Sequence, residues 1–127
     1  MDYSQNVKRL RMKAVLDSID GGNAPGTIEL RDADRVVLAT LLLSRPSFYL
    51  VGADLQMVAP TTTIIQITGR AAIGSITDGS GTIVIDNMTV GVDPTLDETH
   101  DFEIVLDTVD LEQGKQVTIA TATIEHG

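Results

Sequence analysis

The stretch IIQITGRAAIGSITDGSGTIVIDNMTVGV, residues 64–92, contains two apolar segments joined across Asp78-Gly79-Ser80-Gly81. Apolar segments on either side of a glycine-containing turn are typical of a β-hairpin, because glycine adopts the positive φ angles that tight turns require. Apolar or small residues alternate with polar ones in the first segment, as in a half-buried strand. The apolar set is Ile65, Ile67, Gly69, Ala71 and Ile73. The stretch therefore predicts a long hairpin at the centre of the fold.

Small residues are concentrated on the first half of this predicted hairpin, at Gly69, Ala71, Ala72 and Gly74. They leave room for close approach by another sheet or another subunit. The segment contains no nucleophile, general base or cluster of metal ligands. We therefore expect Gly69, Arg70 and Ala71 to belong to a contact surface.

The rest of the chain after residue 26 also indicates strands. Turns at close, regular spacing separate apolar segments at 27–30, 35–43, 48–51, 55–58, 102–106 and 116–124. The unbroken apolar run at 36–43 predicts a strand covered on both faces. This pattern predicts a mainly β domain over 27–127, an antiparallel β-sandwich or jelly-roll with an aliphatic core.

Residues 1–20 predict an α-helix that Asp2 or Ser4 can cap, followed by a Gly/Pro linker at 21–26. Helical spacing gives the helix two apolar stripes rather than one. The first stripe is Tyr3, Val7, Leu10 and Ala14, and the second is Met12, Val15, Leu16 and Ile19. The second stripe either faces another chain or is buried in the protein's own core, and both interpretations stay open at this point.

The charge of the chain is divided unevenly. The 127 residues carry a net charge of −9, yet residues 1–13 sum to +4 − 1 = +3 and residues 14–127 to +5 − 17 = −12. The basic set in the helix is Lys8, Arg9, Arg11 and Lys13. Such asymmetry favours docking of the helix on an acidic surface, either its own body or a neighbouring copy. The alternative is a solvated helix face.

Several functional classes are disfavoured by composition. The acidic balance and 3% aromatic content argue against nucleic-acid binding. Cysteine is absent, and neither His100 nor His126 lies in a catalytic motif, so we expect no enzyme and no cofactor. The acidic segment 93–101 lacks the spacing of an EF-hand, so we interpret it as a solvated turn rather than a metal site. With no secretory signal or membrane-spanning run, we expect a soluble product of the cytoplasm.

The opening segment YSQNVKRLRMKAVLDSIDGG, residues 3–22, resembles a family of small tailed-phage proteins from the structural gene module. In that family a basic N-terminal helix with an Arg-Met step and an Ile-Asp-Gly ending precedes a Gly-x-Leu/Ile-x-Ile/Leu strand, here GTIEL at 26–30. Further similar segments are 38–44 with Pro46, 68–72, 76–81, 114–119 and 123–124. The chain departs from the family at Gly74-Ser75, where many relatives carry an aromatic-Arg pair, and in its short segment 31–35.

The resemblance implies a virion component present in many copies. The leading hypothesis is a capsid decoration or cement protein that bridges capsid subunits, is assembled in the host cytoplasm, and also forms a dimer or trimer. A neck, tail-tube or baseplate component is the first alternative, and a carbohydrate- or cell-surface-binding module is the second. The expected partners are the major capsid protein or other virion structural proteins, with no nucleic acid and no membrane. The expected interaction residues are Tyr3, Val7, Lys8, Arg9, Leu10, Arg11, Met12, Lys13, Val15, Leu16, Ile19, Gly69, Arg70 and Ala71.

Overall fold

The computed structural model describes residues 4–22, 24–44, 46–92 and 103–124. Within them the chain forms one helix, α1 (Gln5–Asp20), followed by strands only. The strands are β1 (Thr27–Arg31), β2 (Val37–Leu42), β3 (Phe48–Val51), β4 (Asp54–Met57), β5 (Thr61–Ile64), β6 (Gly69–Arg70), β7 (Ile73–Thr77), β8 (Ile83–Val92), β9 (Ile104–Leu106), β10 (Asp110–Leu111) and β11 (Gln116–Ile124).

The helix begins and ends where its sequence predicts. Ser4 is the N-cap, and its Oγ accepts a hydrogen bond from the backbone N–H of Val7 at 3.3 Å. This bond satisfies one of the N–H groups that the first turn leaves without a helical partner. Gly21 follows the last turn as the C-cap. The predicted N-terminal helix is confirmed.

Most strands belong to one curled, mixed sheet in the order β2-β1-β7-β8-β9-β11-β4-β3, with β5 also paired to β11. The pairs are antiparallel except for β8 and β9, which run parallel. The sheet curls until the segment after β5 reaches β2, where the carbonyl of Leu38 accepts hydrogen bonds from the N–H groups of Gln66 and Ile67 at 2.9 and 3.2 Å. The predicted class, mainly β and sandwich-like with one N-terminal helix, is confirmed, although the sheet is mixed.

The core inside this sheet is aliphatic, as the composition indicates. Side chains from β1, β2, β7, β9 and β11 form one cluster with two residues of the helix, Met12 and Ile19. Among the described residues, Phe48 is its one aromatic member. Burial of this apolar surface is the main term that stabilises a domain of this size without disulfides.

The central hairpin is shorter than predicted. Its two strands are β7 and β8, whereas residues 64–70 leave it: Ile64 pairs with Gln116 of β11, and Arg70 pairs with Asp110 of β10. Ile67, expected on the buried face, is 47% exposed. Apolar alternation indicates that a segment is a strand, but it does not determine which strand becomes its partner.

Two further strands differ from their sequence patterns. The strand predicted to be covered on both faces, β2, leaves Leu42 at its end 64% exposed, so that prediction is wrong there. The last strand, β11, has the predicted bounds, but its register shifts between Ile119 and Thr121. Because this bulge inserts one residue, the buried positions change parity, from Val117 and Ile119 before it to Ala122 and Ile124 after it.

Candidate functional site

One side of the helix packs on the protein's own sheet. Met12 is 4% exposed and Ile19 is fully buried, with Val15 and Leu16 packed against the same core. We call these four residues the inner stripe. They pack the helix mainly against β3, β4 and β8. The sequence allowed the second apolar stripe either to face another chain or to be buried in the protein's own core. The structure shows that it contacts its own domain.

Both ends of the helix are also held by polar contacts. The Arg9 guanidinium donates from Nη1 to the backbone carbonyl of Gly52 at 2.9 Å, in the turn between β3 and β4. Near the other end, a carboxylate oxygen of Asp20 accepts from the backbone N–H of Ser47 at 3.2 Å. These bonds join the helix to both ends of β3, so the helix and the sheet form one body.

The opposite side of the helix is left uncovered. Val7 is 38% exposed, Leu10 is 60% exposed, and Ala14 is also exposed. We call these three residues the outer stripe. They follow the spacing of three and four residues that places side chains on one helix face, with the exposed Lys13 beside them. Tyr3, the other predicted member of this stripe, lies outside the described residues.

Three cations of the helix differ from the described cations of the body in their partners. Each described cation of the body forms an ion pair with a carboxylate of the body. These pairs are Arg31–Glu29 at 3.1 Å, Arg35–Asp86 at 2.5 Å, Arg70–Asp110 at 3.1 Å and Lys115–Glu112 at 2.8 Å. In contrast, Lys8, Arg9 and Lys13 form no ion pair with any residue that the structure describes. The charges of Lys8, Arg9 and Lys13 are therefore not neutralised by any described carboxylate.

The small residues after β5 contact the protein's own side chains. A Cβ on Gly69 would lie 2.9 Å from Cδ2 of Leu38, and a Cβ on Gly74 would collide with the Ile104 side chain. Ala71 is only 4% exposed, and Arg70 is exposed and paired with Asp110. The room left by Gly69 and Gly74 is therefore filled from within the chain.

A polar cluster that the sequence analysis missed lies at a bulge in β8. The Ser75 hydroxyl, fully buried, donates to Asp86 Oδ1 at 2.7 Å, and Arg35 donates to Asp86 and to Asn87 Oδ1. Arg35 and Asn87 both have positive φ, 68° and 56°. The bonds from Ser75, the Asn87 backbone and Arg35 hold the pKa of Asp86 below its usual value.

This polar cluster has a structural role. It joins the turn before β2 to the β7–β8 hairpin, and each carboxylate oxygen of Asp86 already has a partner. The available signal in the sequence was the polar pair Asp86-Asn87, which interrupts the apolar segment of β8.

The turn between β7 and β8 is organised by Asp78. Its Oδ1 accepts from the backbone N–H groups of Ser80 and Thr82 and from the Ser80 hydroxyl, at 2.9, 3.0 and 2.7 Å. These bonds, the Ser80 hydroxyl first, lower the pKa of Asp78. Gly79 packs against the carbonyl of Ala24 so closely that a Cβ would collide with it. The linker after the helix thus rests on the central turn.

The described residues contain no group of three or more His, Asp or Glu side chains placed to hold a metal ion. The acidic segment 93–101, together with His100 and His126, lies outside them. Within the same described ranges, no helix has the length and hydropathy that a membrane crossing requires. Comparison of the chain with protein-family models, curated proteins and solved structures gives no match.

Proposed function

We propose that the protein is a virion structural protein of a tailed phage that decorates or cements the capsid, with the outer stripe of its helix contacting capsid subunits. The observation that carries the proposal is the two-sided helix. Its inner stripe and its end contacts hold it on the body, while Val7 and Leu10 remain exposed on the other side.

The outer stripe has the features of a small protein interface. An apolar centre with a charged border is the usual anatomy of such surfaces, and charge complementarity orients the encounter. Leu10 provides the apolar centre, and Lys13 lies at the border without an ion pair to any described carboxylate. Because a capsid repeats the same contact many times, a modest patch on each copy is sufficient for stable decoration.

The polar groups of the body support a structural rather than a chemical role. The described carboxylates with lowered pKa, Asp78, Asp86 and Glu112, are each hydrogen-bonded within a turn, a bulge or an ion pair. We therefore propose a binding protein without catalytic activity.

The test is a binding assay on capsids that lack this protein. Deleting residues 1–20 would also remove Met12 and Ile19 from the core, so surface variants are the sharper choice. The variant Val7→Ser/Leu10→Ser changes only exposed positions, and Ile67→Ser/Ile83→Ser is a matched control, since these residues are 47% and 43% exposed. We expect the helix variant to lose at least about tenfold in capsid affinity and the control to bind as wild type.

Two results would contradict the proposal. Equal occupancy for the helix variant and wild type would remove the outer stripe as the contact surface. The second result comes from labelling this protein in intact particles and locating the label by electron microscopy. Label at a single vertex, and not over the whole shell, would favour a neck, tail-tube or baseplate role over decoration.

A further inference from the structure

The chain contains two Asp-Gly steps, Asp20-Gly21 and Asp78-Gly79. At such a step the backbone nitrogen of glycine can attack the aspartate carboxyl carbon, because glycine has no side chain to hinder the approach. The attack closes a succinimide ring and releases one water. Addition of one water reopens the ring to aspartate or to isoaspartate, in which the main chain runs through the side-chain carbon and is longer by one methylene. Asp-Gly steps are therefore potential sites of spontaneous backbone modification.

The fold requires glycine in the second of these steps. Gly79 packs so closely against the carbonyl of Ala24 that a Cβ would collide with it. The step lies in the turn between β7 and β8, two strands that pair near the middle of the sheet order. Packing thus imposes a reactive dipeptide on a turn where a longer main chain would disturb the β7–β8 register.

The Asp78 side chain is held in place by hydrogen bonds within the turn. Its Oδ1 accepts from the N–H groups of Ser80 and Thr82 at 2.9 and 3.0 Å and from the Ser80 hydroxyl at 2.7 Å. The main chain is fixed as well, since the Asp78 carbonyl accepts from the Gly81 N–H at 3.1 Å. Ring closure needs the carboxyl carbon directly above the Gly79 nitrogen, whereas these bonds direct the carboxylate past it, toward residues 80 and 82.

The same bonds oppose the release of water. A carboxyl oxygen leaves as water only after it has been protonated. The donors stabilise the ionised carboxylate and lower the pKa of Asp78, the bond from the Ser80 hydroxyl most of all. Geometry and protonation state therefore act in the same direction.

We propose that Asp78-Gly79 is a site of succinimide and isoaspartate formation that the folded turn suppresses through its local bonds to Asp78 Oδ1. The other step, Asp20-Gly21, is an internal reference. There a carboxylate oxygen accepts from the backbone N–H of Ser47 at 3.2 Å, so it is held by a tertiary contact instead of a turn. The proposal concerns the central turn alone and does not depend on a virion role.

Ageing the protein near neutral pH tests the suppression. Digestion followed by mass spectrometry detects the succinimide as the loss of one water, and an isoaspartyl methyltransferase labels the isoaspartyl peptides. Because the two steps have the same dipeptide, we expect them to react at similar rates in urea. In the folded protein Asp78-Gly79 should react at least about tenfold more slowly than in urea, since reaction requires local opening of the turn. Equal rates in the folded and unfolded chains would refute the proposal.

Ser80→Ala tests whether the local bonds are responsible. It removes the hydroxyl donor, so we expect isoaspartate at residue 78 to form about threefold faster, while Asp20-Gly21 reacts as in wild type. Thr62→Ala is the matched control, since it removes an exposed hydroxyl bond, to Thr118 at 2.8 Å, on a different strand pair. It should change neither step. An unchanged rate in Ser80→Ala, or an equal rise at both steps, would assign the protection to the fold as a whole and overturn the proposed role of the turn.

Discussion

Replacing Ile19 by alanine should test whether the inner stripe holds the helix on the sheet. Ile19 is fully buried, and the substitution removes three carbon atoms from the core. At about 0.8 kcal/mol for each buried methylene or methyl group, the lost transfer free energy is roughly 2.4 kcal/mol. The cavity left behind adds to this, so the expected loss in unfolding free energy is about 3 kcal/mol.

Leu10→Ala is the matched control on the outer stripe of the same helix. Leu10 is 60% exposed, so its truncation should change the free energy of unfolding by no more than about 0.5 kcal/mol. Alanine has a higher helix propensity than isoleucine or leucine, so each substitution also gains less than about 0.7 kcal/mol of helix stability. This gain is too small to make Ile19→Ala the less destabilising of the two variants.

Urea unfolding followed by circular dichroism measures both effects. If the unfolding free energy falls by about 1.5 kcal/mol per molar urea, Ile19→Ala should lower the urea concentration at the unfolding midpoint by about 2 M. Leu10→Ala should leave this midpoint nearly unchanged. Equal shifts, or a larger shift for Leu10→Ala, would refute the assignment of the two stripes and the contact surface derived from it.

Three further outcomes are expected. Gly79→Ala should cost about 1–3 kcal/mol of stability in thermal or urea unfolding, because its Cβ collides with the Ala24 carbonyl, and wild-type stability would contradict that contact. Because hydrogen bonds lower the pKa of Asp86 in the folded state, its stabilising effect is complete above the unfolded-state pKa of about 4 and declines as pH falls through the folded-state pKa. Asp86→Asn should therefore weaken the pH dependence of unfolding below about pH 4, and an unchanged dependence would exclude this role. Arg70→Ala should change stability by less than about 1 kcal/mol, since its ion pair with Asp110 is exposed, and a larger loss would show that Arg70 packs as well as pairs.

Much of the fold was predictable because it depends on local patterns. Ser4 and Gly21 bound the helix through capping, which is a property of neighbouring residues. The bounds of β11 followed from the turn before it. The pairing of β5 with β11 was not predictable, since a segment with alternating apolar residues can pair with any strand of suitable length.

Less of the candidate surface was predictable. Helical spacing identified both stripes, but the stripe that remains exposed depends on which face meets β3 and β4. The cluster of Arg35, Ser75 and Asp86 joins residues that are distant in sequence, and no local motif marks it.

The sequence by itself determined the secondary structure class, the two apolar sides of the helix, the turn at residues 78–81 and the concentration of basic charge before residue 14. These features depend on backbone preferences and periodicity over a few residues. Only the tertiary structure decided that residues 64–70 leave the central hairpin, that Leu38 and Ile104 fill the space beside Gly69 and Gly74, and that Val7 and Leu10 stay uncovered. Those outcomes depend on contacts between distant segments, because packing of the whole chain selects which apolar surfaces meet each other.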